Sequence, residues 1–109
     1  MSLGCAEAER RFVIQADKNG DRSGSCALVV LTVQNECYIA NVGDSRAILS
    51  EGMGEDWSSL SRDHRPQDPD EAKRIVAHGG QIYLSSDVLR VYPSTLSVSR
   101  TFGDNQAKV

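Results

Sequence analysis

No Cys-x-x-Cys pair occurs in this chain. Its three cysteines, Cys5, Cys26 and Cys37, are odd in number and widely spaced. That excludes a zinc knuckle or a dithiol redox motif. They read as free thiols of a reducing compartment, cytoplasmic or nuclear, with Cys26 and Cys37 as small buried hydrophobes. No apolar run approaches the roughly 18 residues that a membrane helix needs, so no membrane association is expected. No leader pattern opens the chain. Basic residues do not exceed acidic ones: 12 Lys and Arg stand against 15 Asp and Glu, for a net charge of −3. A nucleic-acid footprint is therefore not expected, whereas cation binding is compatible with the charge.

What is present is an ordinary soluble composition, 39% hydrophobic and 25% charged over 109 residues. One small domain, or part of a larger one, fits that length. Residues 5–16 predict a helix, with Ala8, Phe12 and Ala16 on one face. A polar loop follows to residue 25. The run from Cys26 to Val33 is apolar and β-branched and predicts a buried strand. Strands over 37–42 and 45–50 flank Gly43-Asp44, a step that reads as a tight hairpin. Together these three strands predict an antiparallel meander.

Farther along, Trp57 to Ser61 predicts a short strand. Asp68 is a candidate N-cap with Pro69 at the first helical position, and Asp70 and Glu71 suit the positive end of the dipole. This helix is expected to stop near His78 at Gly79-Gly80. Residues 81–84, 88–91 and 96–98 are further strand candidates. The order strands, helix, strands predicts an α+β fold built on an antiparallel sheet.

Candidate chemistry is sparse. The loop Asp17-Lys18-Asn19-Gly20-Asp21-Arg22-Ser23-Gly24 resembles a calcium loop only superficially. The twelfth ligand position falls on Leu28 or Val30, depending on register. His64 and His78 are too far apart for a helical metal pair, and His78 reads as a helix-end cation. A general-base role for His64 would need a nucleophile or water that nothing in the sequence places. No Gly-x-Ser-x-Gly elbow is present. Gly79-Gly80 follows a helix rather than opening one, so it is no phosphate cradle. Asp44, Asp63, Asp87 and Asp104 remain. Each could serve a hard cation such as Mg²⁺ or Mn²⁺, and turn chemistry explains each as well.

Several segments, in order, resemble the metal-dependent Ser/Thr protein phosphatases of type 2C. They are Ser23-Gly24-Ser25-Cys26-Ala27, the run from Tyr38 to Ala47 that contains Gly43-Asp44-Ser45-Arg46, and the run from Leu60 to Pro66. Glu71 with Arg74-Ile75 and Gly79-Gly80 continues the match, and the run from Leu96 to Asp104 completes it. Ser94 departs from a common glycine.

The resemblance covers residues 5–108 and implies part of a β-sandwich of two antiparallel sheets flanked by helices, lacking its N-terminal and C-terminal portions. It also implies a two-metal centre of Mn²⁺ or Mg²⁺ whose bound water attacks a phosphoserine or phosphothreonine of a phosphoprotein substrate. Asp44 matches a carboxylate that lies beside those metals, and Asp104 a structural carboxylate. The family's principal ligands and its general acid lie in an upstream Asp-Gly-His-Gly-Gly and in downstream Asp segments, none of which occurs here. The resemblance therefore implies that the 109 residues alone are inactive. Strand edges left open would favour homodimers or strand exchange. The alternative reading is a catalytically inactive, phosphatase-like binding module.

Overall fold

The computed structural model describes residues 1–108. Helix α1 spans Ser2–Asn19. It outlasts the expected boundary because nothing in Asp17-Lys18-Asn19 breaks it before Gly20. There the backbone turns left-handed at φ 65°, and the Gly20 N–H returns to the Ala16 carbonyl. Glu7 bonds Arg10 and Arg11 one turn on. Helix α2, Pro69–Ala77, follows its signals closely. The Asp68 carboxylate accepts the Asp70 N–H at 2.9 Å, and His78 closes the other end.

Strands pair in twos, always antiparallel. The strand β1 (Gly24–Ser25) joins β8 (Phe102–Gly103), linking the segment after α1 to residues near the far end. The ribbon β2 (Ala27–Val33) with β3 (Glu36–Val42) turns on Gln34-Asn35, with Gln34 left-handed. The short β4 (Ile48–Glu51) pairs with β5 (Asp56–Ser59). The last ribbon joins β6 (Gln81–Ser85) to β7 (Val88–Tyr92), turning on Ser86 and Asp87, both at positive φ. That assigns Asp87 to turn chemistry. The architecture is thus α+β with antiparallel pairing, as expected.

Besides shifted element ends, three features differ from the sequence expectation. Gly43-Asp44 is not a hairpin turn, because β3 pairs only with β2 and β4 only with β5. The backbone of Gly43 is instead committed to residue 64, as described below. Residues 96–98 form no strand; Leu96 makes a single bridge to Val91. The β2–β3 ribbon is not buried: Val29, Val30, Leu31, Val33 and Tyr38 are each about half exposed, and Cys37 is exposed.

A strand apolar on both faces expects cover on both, and among the described residues this ribbon has little. Ala16 and Ile75 form the buried apolar core among those residues, with Pro66 fully enclosed. The accessible surface is 7776 Å², against about 5,900 Å² for a compact monomer of this mass. The radius of gyration is 16.0 Å, where about 13 Å is usual at this length.

Candidate functional site: the Gly43–Asp44 loop

The segment after β3 is held by the loop that precedes α2. Gly43 donates its N–H to His64 Nδ1 at 3.1 Å, and its carbonyl accepts the His64 N–H at 2.8 Å. The Asn41 amide braces both sides, bonding the Gly43 carbonyl at 3.1 Å and the Arg62 carbonyl at 2.9 Å. Only glycine fits here. Its φ is 112°, and a Cβ would lie 2.2 Å from Cys26 Sγ.

Asp44 follows directly, about one third exposed. One carboxylate oxygen faces the Arg65 guanidinium at 3.2 Å, and the other accepts from the Cys26 thiol at 3.7 Å. Beside it, the Arg46 guanidinium grips Asp63 through two bonds of 2.9 and 2.7 Å and holds that carboxyl below the usual range. Spacing alone ranks Asp44 and Asp63 equally, but Asp63 is consumed in this ion pair.

His64 acts as an acceptor for backbone, not for a nucleophile. An amide N–H can only donate, so Nδ1 is unprotonated and the proton sits on Nε2. Burial, and then the positive charge of Arg100, depress its pKa and favour the neutral ring.

Behind this loop lies a buried charge. Glu71 on α2 is 5% exposed. Arg100 forks onto it, with its closest contact at 2.6 Å; Arg74 reaches it at 2.9 Å and the Ser99 hydroxyl at 2.7 Å. Burial opposes ionisation of Glu71, but these donors outweigh it and hold the carboxyl far below the glutamate range. The Ser99 N–H donates to the His64 carbonyl at 2.9 Å, so the buried charge and the Asp44 loop are mechanically joined. Spacing gives no sign that this set comes together, although Glu71, Arg74, Ser99 and Arg100 lie in segments that carry the family resemblance. The Glu71–Arg100 partners are 29 residues apart, and the helix dipole alone accounts for an acidic residue at position 71.

Asp104 occupies a different place. A Cβ on Gly24 would stand 1.9 Å from its carboxylate, and its N–H bonds the Ser23 carbonyl at 2.9 Å. It packs over the β1 backbone, so Gly24 is required by close approach. Glu9 of α1 accepts the neighbouring Gly103 N–H at 2.9 Å.

Among the described residues, no group of three or more His, Cys, Asp or Glu side chains could hold a metal ion. Asp44 has an arginine and a thiol as neighbours rather than a second carboxylate. The donors present therefore do not fit a binuclear centre. Asp44 can supply one corner of such a site at most.

The sequence model of protein phosphatase 2C matches residues 4–109. The chain belongs to this family. Among protein phosphatase 2C relatives, it is 37% identical to the probable protein phosphatase 2C 30 of Arabidopsis thaliana, over 96% of this chain and 28% of that protein. It is 44% identical to the probable protein phosphatase 2C 55 of Oryza sativa subsp. japonica, over 87% of this chain and 24% of that protein. It is 42% identical to the integrin-linked kinase-associated serine/threonine phosphatase 2C of Bos taurus, over 92% and 27%. Among solved structures, that of a C. elegans sex-determining protein superposes with a TM-score of 0.78 at 28% identity, covering 88% of this chain and 23% of that one. The chain thus spans about a quarter of the length of these relatives.

Proposed function

We propose that these 109 residues are part of the catalytic domain of a protein serine/threonine phosphatase that depends on Mn²⁺ or Mg²⁺ and acts on phosphoproteins of the cytoplasm or nucleus. The supporting observation is the Gly43-Asp44 loop. A carboxylate stands at a strand end, partly open to solvent, on a backbone fixed from three sides, inside a segment that belongs to the protein phosphatase 2C family. The principal metal ligands would come from outside these residues, with Asp44 as the single contribution from within. A complete domain carrying this segment is expected to hydrolyse a phosphothreonine peptide with millimolar Mn²⁺ and to stop when the metal is chelated. The 109 residues alone are expected to give no turnover. Hydrolysis indifferent to chelation would refute the proposal.

The Arg65–Asp44 pair favours a second reading, in which the segment belongs to an inactive phosphatase-like binding module. A cation is already present at the carboxylate, in the form of a guanidinium. Retention of a phosphopeptide by the complete domain without its hydrolysis would select that reading.

Surface excess supports a further expectation. The excess of about 1,800 Å² is as much as an obligate interface removes from one partner. Produced by itself, the chain is expected to self-associate through the β2–β3 ribbon, as a homodimer or by strand exchange. Sedimentation at increasing concentration checks this; a single monomeric species at high concentration would contradict it. Changing Val29 and Leu31 to lysine should shift the distribution toward monomer.

A further inference from the structure

The resemblance singles out Asp44 but says nothing of what aims it. We infer that His64 is a positioning residue for Asp44, acting through the neutral Nδ1 lone pair on the Gly43 N–H. This rests on the reading of Asp44 as a metal-site carboxylate.

Four observations carry the inference. The His64 and Gly43 bonds are reciprocal, through ring nitrogen and backbone together, and they join residues 21 positions apart. Gly43 lies at φ 112° with Cys26 where a side chain would stand, so the residue before Asp44 is packed closely against the start of β2. Asn41 clamps the same carbonyl from its own strand end. The far side of His64 is anchored as well: its carbonyl takes the Ser99 N–H, and Ser99 is bound to Glu71 on α2. Without the Nδ1 acceptor, the Gly43 N–H would be left unsatisfied in a partly buried place. The loop would then have to open to water to recover the bond. Asp44, the next residue, would move with it.

The chemistry distinguishes two isosteres. Asparagine places Oδ1 the same number of bonds from Cα as His Nδ1, whereas glutamine places its oxygen where Nε2 stands. His64→Asn keeps the acceptor; His64→Gln and His64→Leu do not.

The first measurement needs no variant. In the ¹⁵N-labelled chain, a scalar coupling across the hydrogen bond should link the Gly43 amide nitrogen to His64 Nδ1. Its absence in the folded chain would overturn the inference. The second measurement is amide hydrogen exchange. Gly43 is expected to exchange at least about tenfold faster in His64→Leu and His64→Gln, and within about threefold of the parent in His64→Asn. Equal exchange in all variants, or equal loss in the asparagine and glutamine variants, would overturn it.

In a complete domain, turnover in Mn²⁺ should fall about tenfold for His64→Gln and recover most of that in His64→Asn, with KM unchanged. If Asp44→Asn lowers turnover and His64→Gln does not, the positioning role fails while the reading of Asp44 stands. If Asp44→Asn has no effect, that reading fails and takes the positioning role with it.

Discussion

Replacing Arg100 with methionine is expected to lower folding stability by about 2–3 kcal/mol, a large share of what a small domain possesses. Glu71 is almost fully buried and its charge is matched chiefly by the Arg100 fork. Removing one partner of a buried pair usually costs roughly 3–5 kcal/mol, because the other charge is left uncompensated. The value here is smaller because Arg100 is nearly half exposed, and Arg74 and the Ser99 hydroxyl still reach the carboxylate. Adding Glu71→Leu to Arg100→Met should restore at least half the loss, since the orphaned charge then disappears. Urea unfolding midpoints of the two single variants and the double variant check this. A change below about 0.5 kcal/mol in Arg100→Met would show that the network contributes little.

Acid should act on the same group. Glu71 titrates far lower folded than at its unfolded value of about 4.3. A depressed carboxyl contributes stability that is fully present above the unfolded value and is lost as pH falls through about 4 toward the folded one. His64 adds an earlier loss. Its folded pKa lies below the ordinary value near 6.5, so the unfolded chain takes up a proton first as pH drops through about 6. Arg100→Met should flatten the profile below about pH 4.5, because the Glu71 carboxyl loses its main stabilising partner.

What can be read directly from the sequence is local. Asp68-Pro69 opens α2, and after the His78 cap the left-handed Gly79 turns the chain away, because capping acts within one turn. Strands over 26–33, 37–42, 81–84 and 88–91 follow from apolar runs, and the observed ribbons 27–33 with 36–42 and 81–85 with 88–92 differ from those bounds by a single residue at their ends. The Gly43-Asp44 step misleads for a physical reason: Gly-Asp is also a good turn pair. What decides against a hairpin there is Gly43's pairing with His64, far along the chain. The apolarity of Val29 to Val33 demands cover, and the described residues supply little. Resemblance rather than spacing singles out Asp44. Its neighbours Cys26 and Arg65, and the Glu71–Ser99–His64 chain behind it, come together only through tertiary structure.

The second large effect concerns chemistry. Asp44→Asn removes the charge of the carboxylate while keeping its size and most of its contacts. A group beside a metal centre that orients bound water usually accounts for about 10–100-fold in activity or metal affinity. Folding should change by less than about 1 kcal/mol, because the Arg65 partner is half exposed and such pairs are weak. The most direct measurement is Mn²⁺-dependent hydrolysis of a phosphothreonine peptide by the complete domain that carries this segment, comparing the parent with the Asp44→Asn variant at matched thermal stability. Turnover is expected to be at least about tenfold lower for Asp44→Asn, with an unchanged melting temperature. Equal turnover, or a loss explained entirely by unfolding, would contradict a metal-site role for Asp44.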